Sequence, residues 1–250
     1  MTAGKTHLMR WMRLYAGGYD LSGDARTFGT LLNNYVDVDL TGWSDAAKNY
    51  LAGGGRATGL QGFQALANDT AARAFAVLKE PDQQIPVSLL FGGAAEPTYT
   101  DPAYLLGAVQ MSAPMGWDGG AAALTADFMP DAREEDANSG NPWGVVLYPA
   151  TSIAVTTNGT VVDNLAASTI GAHANLHITA TASGVWSLLI QASTTGAFGG
   201  EETTLLTFTP NGSAVTAEHI SVAGTIPRYT RFRAVRTSGT TTFLATLARN

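Results

Sequence analysis

The chain has 250 residues, of which 45% are apolar and only 14% are charged, and its net charge is −6. This composition excludes an intrinsically disordered chain, which would carry more charge and fewer apolar residues. The absence of cysteine excludes a disulfide framework and any metal site with cysteine ligands. Together, the low charge and the 28 glycines favour an all-β protein with many turns.

The charge is divided unevenly along the chain. Residues 1–142 carry nine basic and sixteen acidic side chains, a charge of −7, whereas residues 143–250 carry five basic and four acidic ones, a charge of +1. This difference predicts two modules. The acidic excess argues against ordinary nucleic-acid binding, which needs a basic patch to neutralise phosphates. No apolar run reaches ~18 residues, so we expect a soluble chain without a membrane-spanning segment.

The first half combines strands with one or two helices. Residues 34–40 alternate between polar and apolar, which predicts a half-buried strand whose polar face carries Tyr35, Asp37 and Asp39. Residues 44–50 read as a short helix that ends at the glycines 53–55. The clearest helix is predicted over residues 70–79, after an Asn68-Asp69 cap. Further strands are predicted at 85–91, 103–111 and 120–129, with a turn at 114–119.

The second half reads as β-structure throughout. The acidic and polar residues 131–140 predict a boundary between two domains, 1–140 and 141–250. Nine short strands follow, predicted at 145–148, 152–156, 160–164, 174–182, 186–191, 205–208, 215–222, 229–236 and 241–247. Asn158-Gly159 and Asn211-Gly212 are sequences preferred in two-residue hairpin turns. Short strands without intervening helices predict a β-sandwich of jelly-roll type.

No catalytic, cofactor or metal site is predicted. His173 and His177 lie four residues apart in a predicted strand, a spacing of ~13 Å that cannot serve one zinc ion. Asp37 and Asp39, ~7 Å apart on one strand face, are compatible with glycosidase chemistry or a hard cation, but a solvated strand face is favoured. The sequence contains neither a complete phosphate-binding loop nor a hydrolase nucleophile motif. We therefore do not expect an enzyme.

Three aromatic residues of the second half allow two interpretations. Trp143, Tyr148 and Trp186 would form a sugar-stacking platform if they were exposed. Burial in the core of a sandwich is the favoured interpretation. The dense basic stretch Arg228, Arg231, Arg233 and Arg236 crosses both faces of any regular strand, so it does not form one basic stripe.

The order of several short motifs resembles a known family. In residues 8–130 these motifs are Gly17-Gly18-Tyr19-Asp20-Leu21-Ser22, Asp39-Leu40-Thr41-Gly42-Trp43, Gly59-Leu60-Gln61-Gly62-Phe63, the helix near Asn68-Asp69, Tyr104-Leu105-Leu106-Gly107-Ala108-Val109 and the strand through 121–128. This order resembles the tube domain of the major tail protein of long non-contractile-tailed bacteriophages. The second half, with Trp143-Gly144-Val145-Val146-Leu147, Leu176-His177-Ile178-Thr179-Ala180, Arg228-Tyr229-Thr230-Arg231 and a strand ending at Arg249, resembles the β-domain appended to many such proteins.

The resemblance implies a fold and a function. A β-sandwich tube domain with one flanking helix would join its strands to those of neighbouring subunits, closing an inner barrel. Six copies per ring, stacked rings, contacts with other phage tail proteins and a place in the virion tail after assembly in the host cytoplasm are the family expectations. A trimer with pseudo-sixfold symmetry is the alternative if the two halves are tandem copies.

DNA would pass through such a tube without specific binding, because an acidic lumen repels phosphates. Tyr35, Asp37 and Asp39 are the candidate lumen residues, with the strands at 104–110 and 120–129 as alternative linings. The competing function is a carbohydrate- or cell-surface-binding β-sandwich of a phage tail, contacting its target through Trp143, Tyr148 or Trp186.

Overall fold

A computed structural model describes residues 11–39, 50–67, 74–93, 95–118, 121–131 and 141–250. Within the strands, the side chains of residues 34–39, 50–57, 118, 121 and 181–183 lie outside that description. Sixteen strands and one short helix fill the described part, which confirms the mainly β prediction. In the first half the elements are β1 (Met12–Ala16), β2 (Tyr19–Asp20), β3 (Ala25–Thr27), β4 (Thr30–Asp39), β5 (Tyr50–Leu66), α1 (Ala74–Leu78), β6 (Gln84–Phe91), β7 (Pro102–Ser112), β8 (Met115–Asp118) and β9 (Ala121–Pro130). In the second half they are β10 (Trp143–Ile153), β11 (Thr157–Asn158), β12 (Val162–Asp163), β13 (Ala172–Ser193), β14 (Thr203–Phe208), β15 (Thr216–Val222) and β16 (Tyr229–Arg249).

The first half is a sandwich whose two faces enclose one apolar core. One face consists of β1, β6 and β7, and the other of β4, β5, β9 and β8, with β7 also pairing with β9. Leu14, Leu89 and Tyr104 from the first face meet Phe63 and Phe128 from the second. Helix α1 covers the same core with its buried residues. The predicted β-sandwich with one flanking helix therefore has its counterpart in the described residues.

The second half is organised by two very long antiparallel strands. β13 and β16 pair along almost their whole lengths, and register shifts near residues 178–186 allow both to bend. The first half of β13 also pairs with β15 and its second half with β14, so the bent pair contributes to both layers of a sandwich. The sequence pattern predicts two shorter strands in place of each of these, because bulges interrupt the alternation at the bend.

A third packed layer joins the two halves. In β13, Ala174, Leu176 and Ile178 face the core of the second half, while His173, Asn175 and His177 point the other way and are equally buried. The opposite wall is the outer face of β1, β6 and β7, and Tyr15, Leu90 and Leu105 pack there against Val146, Leu244 and Ala248. We call this layer the junction. One hydrogen-bonded sheet path runs from β7 to β10 and so crosses the predicted boundary near residue 140. The division into domains 1–140 and 141–250 stays a prediction.

Several local predictions need correction. The glycines 53–55 do not end a helix but lie inside β5, which is held extended by pairing with β4. The predicted turn at 114–119 contains strand β8, which pairs with β9. Asn158-Gly159 is not a hairpin turn, because β11 and β12 both pair with β16 and not with each other. The helix predicted at 44–50 falls mainly, and the Asn68-Asp69 cap wholly, outside the described residues.

Candidate functional site

The second face of the first half ends in two open edges. Hydrogen bonding runs from β4 through β5 and β9 to β8, and within the described residues β4 pairs only with β5 and β8 only with β9. We call these four strands the open-edged sheet. Unpaired N–H and C=O groups along an edge strand are a template for pairing with another chain. The fold therefore presents two such templates on opposite sides of one sheet.

Large apolar side chains are exposed beside the β8 edge. Trp117 is 83% exposed, and Met111 and Met115 are 61% and 59% exposed. Met115 and Trp117 are two residues apart in β8 and so lie on the same face of the strand. Single exposed apolar residues are ordinary, but three large ones beside an edge that is unpaired within the described residues form a candidate contact surface.

Buried polar contacts fix the base of this sheet. The hydroxyl of Tyr104, on β7, accepts a hydrogen bond from Gly59 N at 2.9 Å and donates one to Leu32 O. It thereby binds both strands of the β4–β5 hairpin. The carboxylate of Asp127, on β9, accepts from Gly62 N and from Ser112 Oγ, both at 2.7 Å, which ties β5 to the segment that leads into β8. Both open edges thus have rigid supports.

The three candidate lumen residues lie in β4, as the alternation predicts. Tyr35, Asp37 and Asp39 belong to the distal part of the β4–β5 hairpin, opposite Arg56, Ala52 and Tyr50 in the register. A register shift falls between Tyr35 and Asp37, so the alternation of faces is interrupted there. Their side chains lie outside the described residues, and their place in a lumen stays a prediction.

The three candidate sugar-binding aromatics do not share one surface. Tyr148 and Trp186 are each 3% exposed, and both rings contact Phe243 in the core of the second half. Burial raises the pKa of the Tyr148 hydroxyl to about 12. Trp143 is 37% exposed and packs between Phe91 and Tyr104 at the strand pair that links the two halves. For Tyr148 and Trp186 the burial agrees with the favoured core interpretation, and these two rings are not available for stacking on a sugar.

The junction contains a buried polar network. The amide nitrogen of Asn175 donates to Val87 O at 2.8 Å, to Ser88 Oγ at 3.1 Å and to Leu106 O at 3.2 Å. Its amide oxygen accepts from His219 Nδ1 at 2.6 Å. One side chain of the second half therefore binds the backbone of both β6 and β7 and orders a histidine of β15.

The buried histidines are kept neutral. His177 Nε2 lies 2.9 Å from Ser88 Oγ, and His173 Nε2 lies 2.8 Å from Asn141 O, while the Nδ1 atoms of both rings are buried without a hydrogen-bond partner. Burial lowers the pKa of His177 to about 3, and burial with the nearby His173 lowers the pKa of His219 to about 3. Burial also lowers the pKa of His173. These residues contribute to the packing of the junction.

Partners within the second half hold two arginines of the basic stretch. Arg228 makes two hydrogen bonds of 2.6 Å to the Asp163 carboxylate, which lowers the pKa of that carboxyl to about 2. Arg231 is bonded to Gln191 Oε1 and lies 3.5 Å from Glu202, with its guanidinium over the Phe198 ring. These two charges are therefore not part of an open basic surface.

Within the described ranges there is no cluster of three or more His, Asp or Glu side chains placed to hold a metal ion. The same part of the chain contains no helix of sufficient length and apolar character to cross a membrane. The structure thus adds no candidate for a metal-dependent reaction in the residues that it describes.

Comparison with known proteins gives only distant similarities. No protein-family model matches the sequence, and no curated protein sequence matches it. Among solved structures, the chain is similar to the Dit protein (gp 19.1) of SPP1, described as a paradigm of the hub adsorption apparatus in Gram-positive infecting phages. That similarity has a TM-score of 0.35 and 13% identity over 95% of this chain and 99% of the other.

A second solved structure, of the infectious bursal disease virus Gx strain, has a TM-score of 0.24 and 10% identity, over 94% of this chain and 66% of that one. At these scores neither similarity assigns a fold family or a function to the chain.

Proposed function

We propose that the chain is a structural subunit of a bacteriophage tail, and that its copies join edge to edge into rings that stack as the tail tube. The observation that carries the proposal is the open-edged sheet, whose β4 and β8 edges are both unpaired within the described residues. Pairing β4 of one copy with β8 of the next would leave each new ring member with one free edge, until the ring closes. The order of motifs along residues 8–130 independently supports a tail-tube subunit.

The apolar side chains at β8 supply the driving force for this association. Burying Met111, Met115 and Trp117 against a neighbouring copy removes apolar surface from water, and each fully buried side chain of this size contributes about 2 kcal/mol. Backbone hydrogen bonds between the edges then set the register. An interface built from sheet edges and apolar side chains needs no ligand or cofactor.

The acidic balance of the first half suits a channel for DNA. A charge of −7 over residues 1–142 repels phosphates, so the genome would pass without being retained. Asp37 and Asp39 lie on β4, one of the two edges that would take part in ring closure. We therefore keep Tyr35, Asp37 and Asp39 as the proposed lumen residues.

Electron microscopy of the concentrated protein, combined with light scattering after size exclusion, tests the proposal. We expect rings or tubes from the unaltered chain, and a monomer from Trp117→Lys, because a charge on the β8 edge opposes pairing. The matched control is Val155→Lys, which places the same charge at a 66% exposed side chain between β10 and β11, outside the four strands of the open-edged sheet. This control should assemble normally.

Three results would contradict parts of the proposal. A monodisperse monomer of the unaltered chain at high concentration would overturn self-assembly. Normal assembly of Trp117→Lys would remove β8 from the interface. Single rings that never stack would contradict a tube subunit while leaving a ring-forming tail protein in place.

A further inference from the structure

An open cleft lies where the β1–β2 turn meets the second half of the chain. Its volume is about 690 Å³, within the range of small-molecule sites, and a neighbouring cavity of about 390 Å³ shares its wall. Arg13, Asp20 and Thr179 line both cavities. The two spaces therefore form one elongated cleft, which we call the junction cleft. Neither the proposed assembly nor the candidate sugar-binding aromatics use it.

The backbone around the junction cleft is fixed in place. Gly18, in the β1–β2 turn, has a φ of +91°, and a Cβ added to it would lie 2.6 Å from Thr216 O and 2.9 Å from Ile178 O. The turn is thus packed directly on the backbone of β13 and β15, at a position where only glycine fits. Contact of this kind holds the two walls of the cleft at a constant separation.

The polar side chains of the cleft are held by their neighbours. Asp20 Oδ1 accepts a hydrogen bond from Ser22 N at 2.9 Å. The guanidinium of Arg13 donates to Met12 O and is paired with Glu96 across the cleft. Binding sites that are ordered before the ligand arrives lose less conformational entropy on binding.

The chemistry of these walls selects a neutral ligand rich in hydroxyl groups. Carboxylates accept hydrogen bonds and a guanidinium donates them. The Ser22 hydroxyl accepts from Leu14 N and keeps its own proton to donate, while the Thr179 hydroxyl donates to Thr242 O and keeps its lone pairs to accept. The walls thus offer the mixed donors and acceptors that a sugar needs. The charged side chains that line the cleft are Arg13, Asp20 and Glu96, so their net charge is −1. A negative net charge disfavours the binding of phosphates and other anions. Tyr19 supplies a ring for the apolar face of a pyranose.

We propose that the junction cleft binds a neutral oligosaccharide. Asp20 and Arg13 would hold adjacent hydroxyl groups of one sugar ring, and Tyr19 would contact its apolar face. The elongated shape, continuing past Glu96 and Pro149, provides room for a second ring. The site lies between the two halves of the chain and not at the open edges of the first. Its occupancy does not depend on assembly.

Titration of the full-length ¹⁵N-labelled Trp117→Lys chain, which the proposed assembly leaves monomeric, with maltotriose, chitotriose and galactotriose in separate NMR experiments tests the proposal. At least one of them should shift the amide signals of Arg13, Asp20 and Thr179, with a Kd between about 10 μM and about 10 mM. Asp20→Asn keeps the acceptor for Ser22 N but loses the charge, and should weaken binding at least about tenfold. Glu80→Gln, an equal change at an exposed carboxylate that lines neither cavity of the cleft, should leave the Kd unchanged.

Different results would overturn the cleft as a sugar site and the choice of a neutral ligand. Absence of any shift with all three sugars at about 20 mM, shifts confined to other surfaces, or a Kd unaffected by Asp20→Asn would each overturn the cleft as a sugar site. Tighter binding of a galacturonate trimer than of galactotriose would overturn the choice of a neutral ligand. The amide spectrum of each variant reports its folding in the same experiment. Electron microscopy of the rings is a separate measurement, so failure here leaves the proposed assembly unaffected.

Discussion

The open-edged sheet and the junction reverse the usual distribution of polar and apolar side chains. At the β8 edge Trp117, Met111 and Met115 are exposed, whereas at the junction Asn175 and His177 are completely buried. Both arrangements cost free energy in an isolated chain unless partners offset it. The junction has its partners within the chain, since Asn175 has four of them. Among the described residues, the open-edged sheet has no such partners at its β4 and β8 edges, as the proposed assembly requires.

The strongest way to break this contrast is to remove the centre of the junction network. Asn175→Ala leaves Val87 O, Leu106 O and His219 Nδ1 without their present partner in a buried layer. We expect the free energy of unfolding to fall by about 4 kcal/mol, because each stranded buried group costs about 1–3 kcal/mol. Urea unfolding measures the loss. Asn158→Ala, at an exposed strand position, is the control, and a similar loss in both variants would contradict the assignment.

The second-largest effect should be a fall in the free energy of unfolding at acid pH, caused by the histidines of the junction. The pKa values of His177 and His219 are about 3 when folded, against 6.5 in the unfolded chain. Between these values the unfolded chain binds protons that the folded chain refuses, so stability is complete above pH 6.5 and falls as the pH decreases. The slope is about 1.4 kcal/mol per pH unit for each histidine, or about 2 kcal/mol each by pH 5.

Urea unfolding at about pH 7 and about pH 5 measures this effect. His177→Gln should lower the stability difference between the two pH values by about 2 kcal/mol, since one titrating group is lost. Asp163, Glu201 and Glu202 have lowered pKa values and titrate below this window, so they do not obscure it. A difference that His177→Gln leaves unchanged would mean that this ring is not buried neutral.

A smaller loss of stability is expected at Tyr104, which connects β7 to the β4–β5 hairpin of the open-edged sheet. Tyr104→Phe removes the hydroxyl that binds Gly59 N and Leu32 O, and should lower the free energy of unfolding by about 1–3 kcal/mol. Hydrogen exchange at the Gly59 amide should accelerate as well. Tyr229→Phe, on a half-buried ring of β16, is the comparison and should change stability by about 0.5 kcal/mol or less. Equal effects would show that the hydroxyl does not support the hairpin.

The smallest effect on stability should come from the exposed edge itself. Trp117→Ser removes a side chain with few contacts inside one copy, so unfolding of the dilute monomer should change by about 0.5 kcal/mol or less. Thermal unfolding at low concentration measures this. A loss of several kcal/mol would place Trp117 in the core of the single chain, and the contrast between the two regions would fail.

The sequence by itself determined the elements whose signals are local. The alternation around Tyr35, Asp37 and Asp39 predicted a strand because side chains of an extended chain point to opposite faces, and β4 is there. The apolar run at 85–91 and the Ala-rich stretch before Pro81 likewise predicted β6 and the position of the helix. The burial of Tyr148 and Trp186 also agreed with the favoured interpretation.

Only the tertiary structure decided which strand faces meet and which edges stay open. His173, Asn175 and His177 alternate with apolar residues as the side chains of a solvated face would, and the absence of charge on that face was the one available signal of burial. Gly53 to Gly55 lie inside a strand because the residues on either side of them, Ala52 and Arg56, pair with β4. Pairing and packing between distant segments depend on the whole chain, whereas alternation is a property of a few neighbouring residues.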